Sequence, residues 1–118
     1  MIASTRRQKV MREIMSACAD DYVWVWEVPS IVERLLPVEA KASARKVAEA
    51  TLRDLASRQY VSFHRGSWPD VDPEPIPIDE AVPSLAEDQV WSAKRGARSD
   101  IAVTATSAGE RFYYGRPG

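Results

Sequence analysis

Residues 66–89 hold seven acidic side chains, no basic one, and five of the chain's eight prolines. Proline has no backbone N–H to give a ladder, and its ring clashes inside a helix. No long helix or central strand is therefore expected here, yet so long an unstructured excursion is unusual within a domain, so part of it should hold structure between its flanks. Those flanks are basic. Residues 1–65 carry eleven basic and eight acidic side chains, and residues 90–118 carry five and two. The formal net charge of −1 is thus one acidic tract set against an otherwise basic domain. A near-zero total does not exclude a polyanionic partner, because phosphate binding depends on clustered charge and not on the sum.

At 118 residues the chain fits one domain, spanning 1–118 with the acidic, proline-rich tract 66–89 inserted within it. With 45% hydrophobic and 28% charged residues it has an ordinary globular composition. Cys18 is the one cysteine, so no intrachain disulfide or cysteine-based zinc site can close. The opening MIASTRRQKV has no apolar stretch behind it, unlike a signal peptide. The longest strongly apolar run, Tyr22–Trp26, falls far short of the roughly 20 residues of a membrane span. The expectation is a soluble, cytoplasmic protein.

Apolar spacing sets out the elements. Val10, Met11, Ile14, Met15 and Cys18 recur at three-and-four intervals, predicting a helix over Thr5–Cys18, with Thr5 and Gln8 as a capping box. Tyr22–Trp26 alternates aromatic and β-branched residues, the pattern of a short strand packed on both faces. A second helix is expected over Pro29–Leu36, stopped by Pro37. The third, Ala42–Arg58, turns Ala44, Val47, Ala48, Leu52, Leu55 and Ala56 inward, with Ser43 as N-cap. It leads straight into a strand, Tyr60–Arg65. Within the tract, VDPEPIPID reads as extended, polyproline-like and solvated. Ala81–Trp91 reads as a short helix with Val82, Leu85, Ala86 and Val90 inward. A basic turn, Lys94–Asp100, precedes a strand at Ile101–Ala105, and Thr106 caps a last helix through Tyr114.

This order of elements resembles the winged helix-turn-helix superfamily. ASARKVAEATLRDLASRQYVSFHRG (Ala42–Gly66) is similar to the superfamily's third helix running into the first wing strand, with Gln59 where glycine is usual. VTATSAGERFYY (Val103–Tyr114) is similar to the closing wing strand and Thr-x-x-Gly helix start of MarR- and PadR-like regulators. The resemblance implies an α+β winged helix-turn-helix fold with the acidic insertion in its wing. It also implies a sequence-specific binder of double-stranded DNA, a homodimeric transcriptional regulator of prokaryotic or viral origin. Helix three would enter the major groove, with Lys41, Ser43, Arg45, Lys46 and Glu49 facing it. Lys94, Arg95 and Arg98 would touch DNA from the wing tip, and Arg6, Arg7 and Lys9 could meet phosphates. Helix one or Phe112-Tyr113-Tyr114 would supply the dimer contact. Taken singly, each basic cluster is an ordinary solvated face; taken together they fall at the three places this fold uses.

No chemistry-bearing motif competes with that reading. His64 is the single histidine, without a second ligand or base at a useful spacing, and reads as structural or surface. The pairs Asp20-Asp21, Asp79-Glu80 and Glu87-Asp88 fall in turns or loop and read as solvated. With no phosphate loop, nucleophile elbow or metal motif, no enzyme activity, cofactor or metal is expected. Trp24 and Trp26 read as core, and Trp68 and Trp91 as pins holding the acidic tract on the domain or, second to that, as anchors for a partner. The rival function is a winged helix used for protein–protein interaction. Coverage of helix three by residues 66–89, or internal pairing of its cations, would favour that rival. A third reading makes the tract an intramolecular DNA mimic, displaced by a partner.

Overall fold

A computed structural model describes residues 2–20, 22–35, 43–66, 74–91 and 100–114. Helix α1 runs over Ile2–Asp20, so the expected start at Thr5 falls inside the helix. Its expected stripe is the buried one: Val10, Met11, Ile14, Met15 and Cys18 all face the core. Burial pushes the Cys18 thiol up to about 12, which keeps it protonated and unreactive as a nucleophile. Strand β1 is shorter than the aromatic alternation suggests, Val23–Trp24. The Glu27 carboxylate accepts the Trp24 N–H at 3.0 Å, and the chain coils into a 3-10 turn at Val25–Glu27 instead of staying extended. Helix α2 follows over Val28–Glu33, burying Val28, Ile31 and Val32.

Helix α3 spans Ala44–Ser57 and buries Ala44, Ala48, Thr51, Leu52, Leu55 and Ala56. Thr51 is tolerated inside because its hydroxyl donates to the Val47 carbonyl at 2.7 Å. Ser43 holds the N-cap position without capping: at φ −95° and ψ 5° it lacks the extended backbone that aims a cap oxygen at the amides. The helix stops in a Schellman turn. Gln59 N–H donates to the Ala56 carbonyl at 2.9 Å and Tyr60 N–H to that of Leu55 at 3.0 Å. The turn requires a left-handed residue, and Gln59 takes φ 61° where glycine would be unstrained. The tight reversal survives the missing glycine at a cost of about 1 kcal/mol.

The chain then forms β2 (Val61–Gly66), β3 (Glu74–Ile76), α4 (Ile78–Ser84), a 3-10 turn at Asp88–Trp91, β4 (Asp100–Ala105) and α5 (Ser107–Tyr114). The fold is α+β: among the described residues, five α-helices and a four-stranded antiparallel sheet in the order β1-β4-β2-β3. Val23, Val103, Phe63 and Ile76 lie opposite one another across the four strands, on the face that packs into the core. Trp24, Ala102, His64 and Pro75 form the row on the other face. No helix among the described residues is long and apolar enough to cross a membrane.

Two expectations for the acidic tract are corrected. Residues 74–76 stay exposed at Glu74 and Pro75, but they are not free polyproline: they pair with β2, Arg65 opposite Glu74 and Phe63 opposite Ile76. Pro75 is compatible with this because β3 is an edge strand, where a missing N–H breaks no ladder. The helix expected over Ala81–Trp91 starts earlier and ends at Ser84, and Ala86 is exposed. Ala81, Leu85 and Val90 nevertheless join the core. Trp68 lies outside the described residues, whereas Trp91 does pin the tract: its indole N–H donates to the Leu85 carbonyl at 2.9 Å.

His64 sits on the second face of the sheet, its ring edge-on to Tyr22 with centroids 4.9 Å apart. Its Nδ1 is buried with no hydrogen-bond partner among the described residues, and burial pulls the imidazole below its ordinary 6.5. The unfolded chain therefore binds this proton at a higher pH than the folded one does. Stability should accordingly be at its full value above pH 6.5 and decline as the pH falls through the lower native value. Urea midpoints compared between wild type and His64→Gln at pH 7.5 and 5.5 check this; an equal acid sensitivity of the two proteins would refute it.

Candidate nucleic-acid interface

A helix that reads DNA must keep one flank open, and α3 has one. Lys46, Ala50, Arg53 and Ser57 follow each other at i, i+4, i+7 and i+11, opposite the buried face. Lys46, Ala50 and Ser57 are exposed and Arg53 is half-exposed. Ala50 between the two cations, and Ser57 beyond them, are short enough to let a flat or grooved surface approach the backbone closely. Lys46 has no ion-pair partner among the described residues.

The remaining cations of α3 are tied to acids. Both Nε and Nη2 of Arg53 donate to the Glu49 carboxylate, at 3.2 and 2.9 Å, so Glu49 holds Arg53 and is not itself poised to read a base. Just past the helix end, Arg58 Nε donates to Asp54 at 3.0 Å. Arg45 reaches across to the acidic tract, where its Nη1 meets Asp88 Oδ1 at 2.6 Å. Its guanidinium also lies 5.4 Å from the centre of the Trp91 ring. Arg65 on β2 similarly reaches Glu80 on α4 at 3.3 Å. Asp88 and Glu80 were expected to be merely solvated; they bind the basic part of the chain to the acidic one. All four pairs reach solvent, with Glu49 and Asp54 the least exposed at 24% and 25%, so each is screened and weak.

Of the sequence-predicted contacts, the structure brings Ser43, Arg45, Lys46 and Glu49 together at the start of α3. Lys9 is exposed on α1. Lys41, Lys94, Arg95 and Arg98 lie outside the described residues, as do the side chains of Arg6 and Arg7. Arg53, Ala50 and Ser57 were missing from the expected interface although the helical period alone puts them beside Lys46. Asp88 and Trp91 carried no such signal, since they meet Arg45 through the tertiary fold.

The α5 end of the domain is locked within the chain. Thr106 caps α5 as expected, accepting the Gly109 N–H at 3.1 Å while donating to the Gln59 carbonyl at 2.6 Å. Phe112 stacks on Tyr60 with centroids 4.8 Å apart. The Tyr113 hydroxyl lies 3.1 Å from Ser16 Oγ, and Arg12 donates to the Tyr113 carbonyl at 2.9 Å. Tyr114 is 61% exposed. No family model matches the chain, and neither a curated protein nor a solved structure matches it.

Proposed function

We propose that the chain is a winged helix-turn-helix protein that binds double-stranded DNA as a transcriptional regulator, through α3 and a wing built on β2 and β4. The element order supports this reading: three helices with a short strand between the first two, then a sheet in which β4 lies between β1 and β2. The observation that carries it is the open stripe of α3, where Lys46 and Arg53 flank Ala50. In the groove, Lys46 and Arg53 would supply phosphate or guanine contacts, and Arg45 would join them from the helix N-terminus. Lys94, Arg95 and Arg98 keep the wing-tip role on sequence grounds. One such helix spans few base pairs, so the protein acts as a homodimer on paired half-sites. Phe112 and Tyr113 are engaged within the chain, which leaves Tyr114 as the aromatic open to a second copy.

Fluorescence anisotropy with a duplex at two salt concentrations tests the reading. Lys46→Ala plus Arg53→Ala should weaken binding about tenfold or more at low salt and flatten the log–log salt slope by about two. Absence of binding at low salt, or an unchanged slope, would overturn it. The pairing of Arg45, Arg53 and Arg58 with acids favours a second reading, a winged helix that docks on another protein. That reading gains if the folded chain ignores duplex DNA at every salt concentration.

A further inference from the structure

We infer that Asp88 is a built-in competitor for DNA phosphate at Arg45, so that the chain's affinity for DNA is set low by one exchangeable contact. The inference rests on the DNA-binding reading and names how that site is regulated. Arg45 is the second residue of α3, at the end of the helix that the reading directs into the groove. Its guanidinium is gripped twice, by Asp88 at 2.6 Å and by the Trp91 ring face at 5.4 Å. Those two residues cannot swing away together, because the segment that carries them is part of the core. Ala81 and Leu85 are 0% exposed, Val90 is 2% exposed, and the Trp91 indole is fixed to the Leu85 carbonyl. Lifting the segment as a flap would therefore pull these residues out of the core.

A side-chain exchange is not excluded. The Asp88 side chain is 91% exposed and that of Arg45 37%, so water and a phosphate oxygen can both reach the pair. On DNA, the guanidinium leaves Asp88 for a phosphate, and the released carboxylate then faces the same backbone. One attraction is replaced by another and a like-charge repulsion is added, so Arg45 adds little net affinity while Asp88 is charged.

Asp88→Asn keeps the shape and removes the charge. Duplex affinity at low salt should rise about fivefold, the scale set by an exposed charge pair. The salt slope should steepen by up to about 0.9, because no bared carboxylate then takes up a cation to offset the one released from the phosphate. Asp88→Asn should gain less in an Arg45→Ala background than in wild type, because only the like-charge repulsion is then left to relieve. If Asp88→Asn binds with the wild-type affinity and slope, the competition does not exist while the DNA reading stands. If neither protein binds duplex at low salt, both fall together.

Discussion

Gly109→Ala is expected to destabilise the fold by about 3 kcal/mol, the upper range for forcing a methyl group into a packed site. A Cβ at this position would lie 2.0 Å from the Tyr60 carbonyl oxygen, 2.9 Å from its carbon and 2.7 Å from Met15 Cε. The methionine tip could give way, but the carbonyl cannot. It accepts the Thr106 N–H at 3.0 Å, and the Tyr60 N–H is itself committed to Leu55 in the turn that ends α3. The relief left to the chain is for α5 to lift off, which would break the Thr106 cap and the Tyr113–Ser16 contact with α1. The roughly 1 kcal/mol by which alanine outranks glycine in a helix does not offset such a loss. Thermal unfolding followed by circular dichroism should show Tm lowered by about 10 °C or more. A midpoint within a degree or two of wild type would mean that α5 does not pack on the α3–β2 turn as described.

The same glycine shows what was legible in the sequence. Thr106 and Gly109 stand out as a helix start, and Thr106 does cap α5. The reason for the glycine was hidden, because the atom that approaches it, the Tyr60 oxygen, belongs to a residue forty-nine positions earlier. Helix α3 was legible because its burial repeats with the helical period, and period is a local property. The acidic tract was half legible: Leu85 and Val90 were expected inward and are buried, whereas the pairing of residues 74–76 with β2 was not foreseen. Its charge and prolines describe the side that faces water, whereas its place is decided by four sparse apolar residues, Ile76, Ala81, Leu85 and Val90. Their partners on β2 and α3 are set by topology. Dividing the charge by segment exposes the basic flanks and raises the question of contact between segments, but it cannot say which residues meet. The ion pairs Arg45–Asp88 and Arg65–Glu80 cross that division, so the field at α3 is a property of the folded chain.

Leu85→Ala is the second substitution with a large expected effect, a loss of about 3 kcal/mol. Leu85 is 0% exposed among neighbours that include Ala81 and Val90, so truncation removes its transfer free energy and leaves a cavity that a close-packed core only partly closes. Urea unfolding followed by tryptophan fluorescence and by far-ultraviolet circular dichroism should show both signals shifting together to lower denaturant. Coincidence of the two is the informative part, since α4 and the Trp91 turn would then unfold with the helices and not before them. A cost below about 0.5 kcal/mol, the range of surface substitutions, would return the tract to a solvated loop. The result also decides how masking of α3 can be studied. If Leu85 is core, deleting the tract removes β3, α4 and the edge of the sheet along with the acids, and any change in DNA binding would report damage to the fold. A charge change at Asp88, 91% exposed, alters the field at Arg45 while leaving that packing in place.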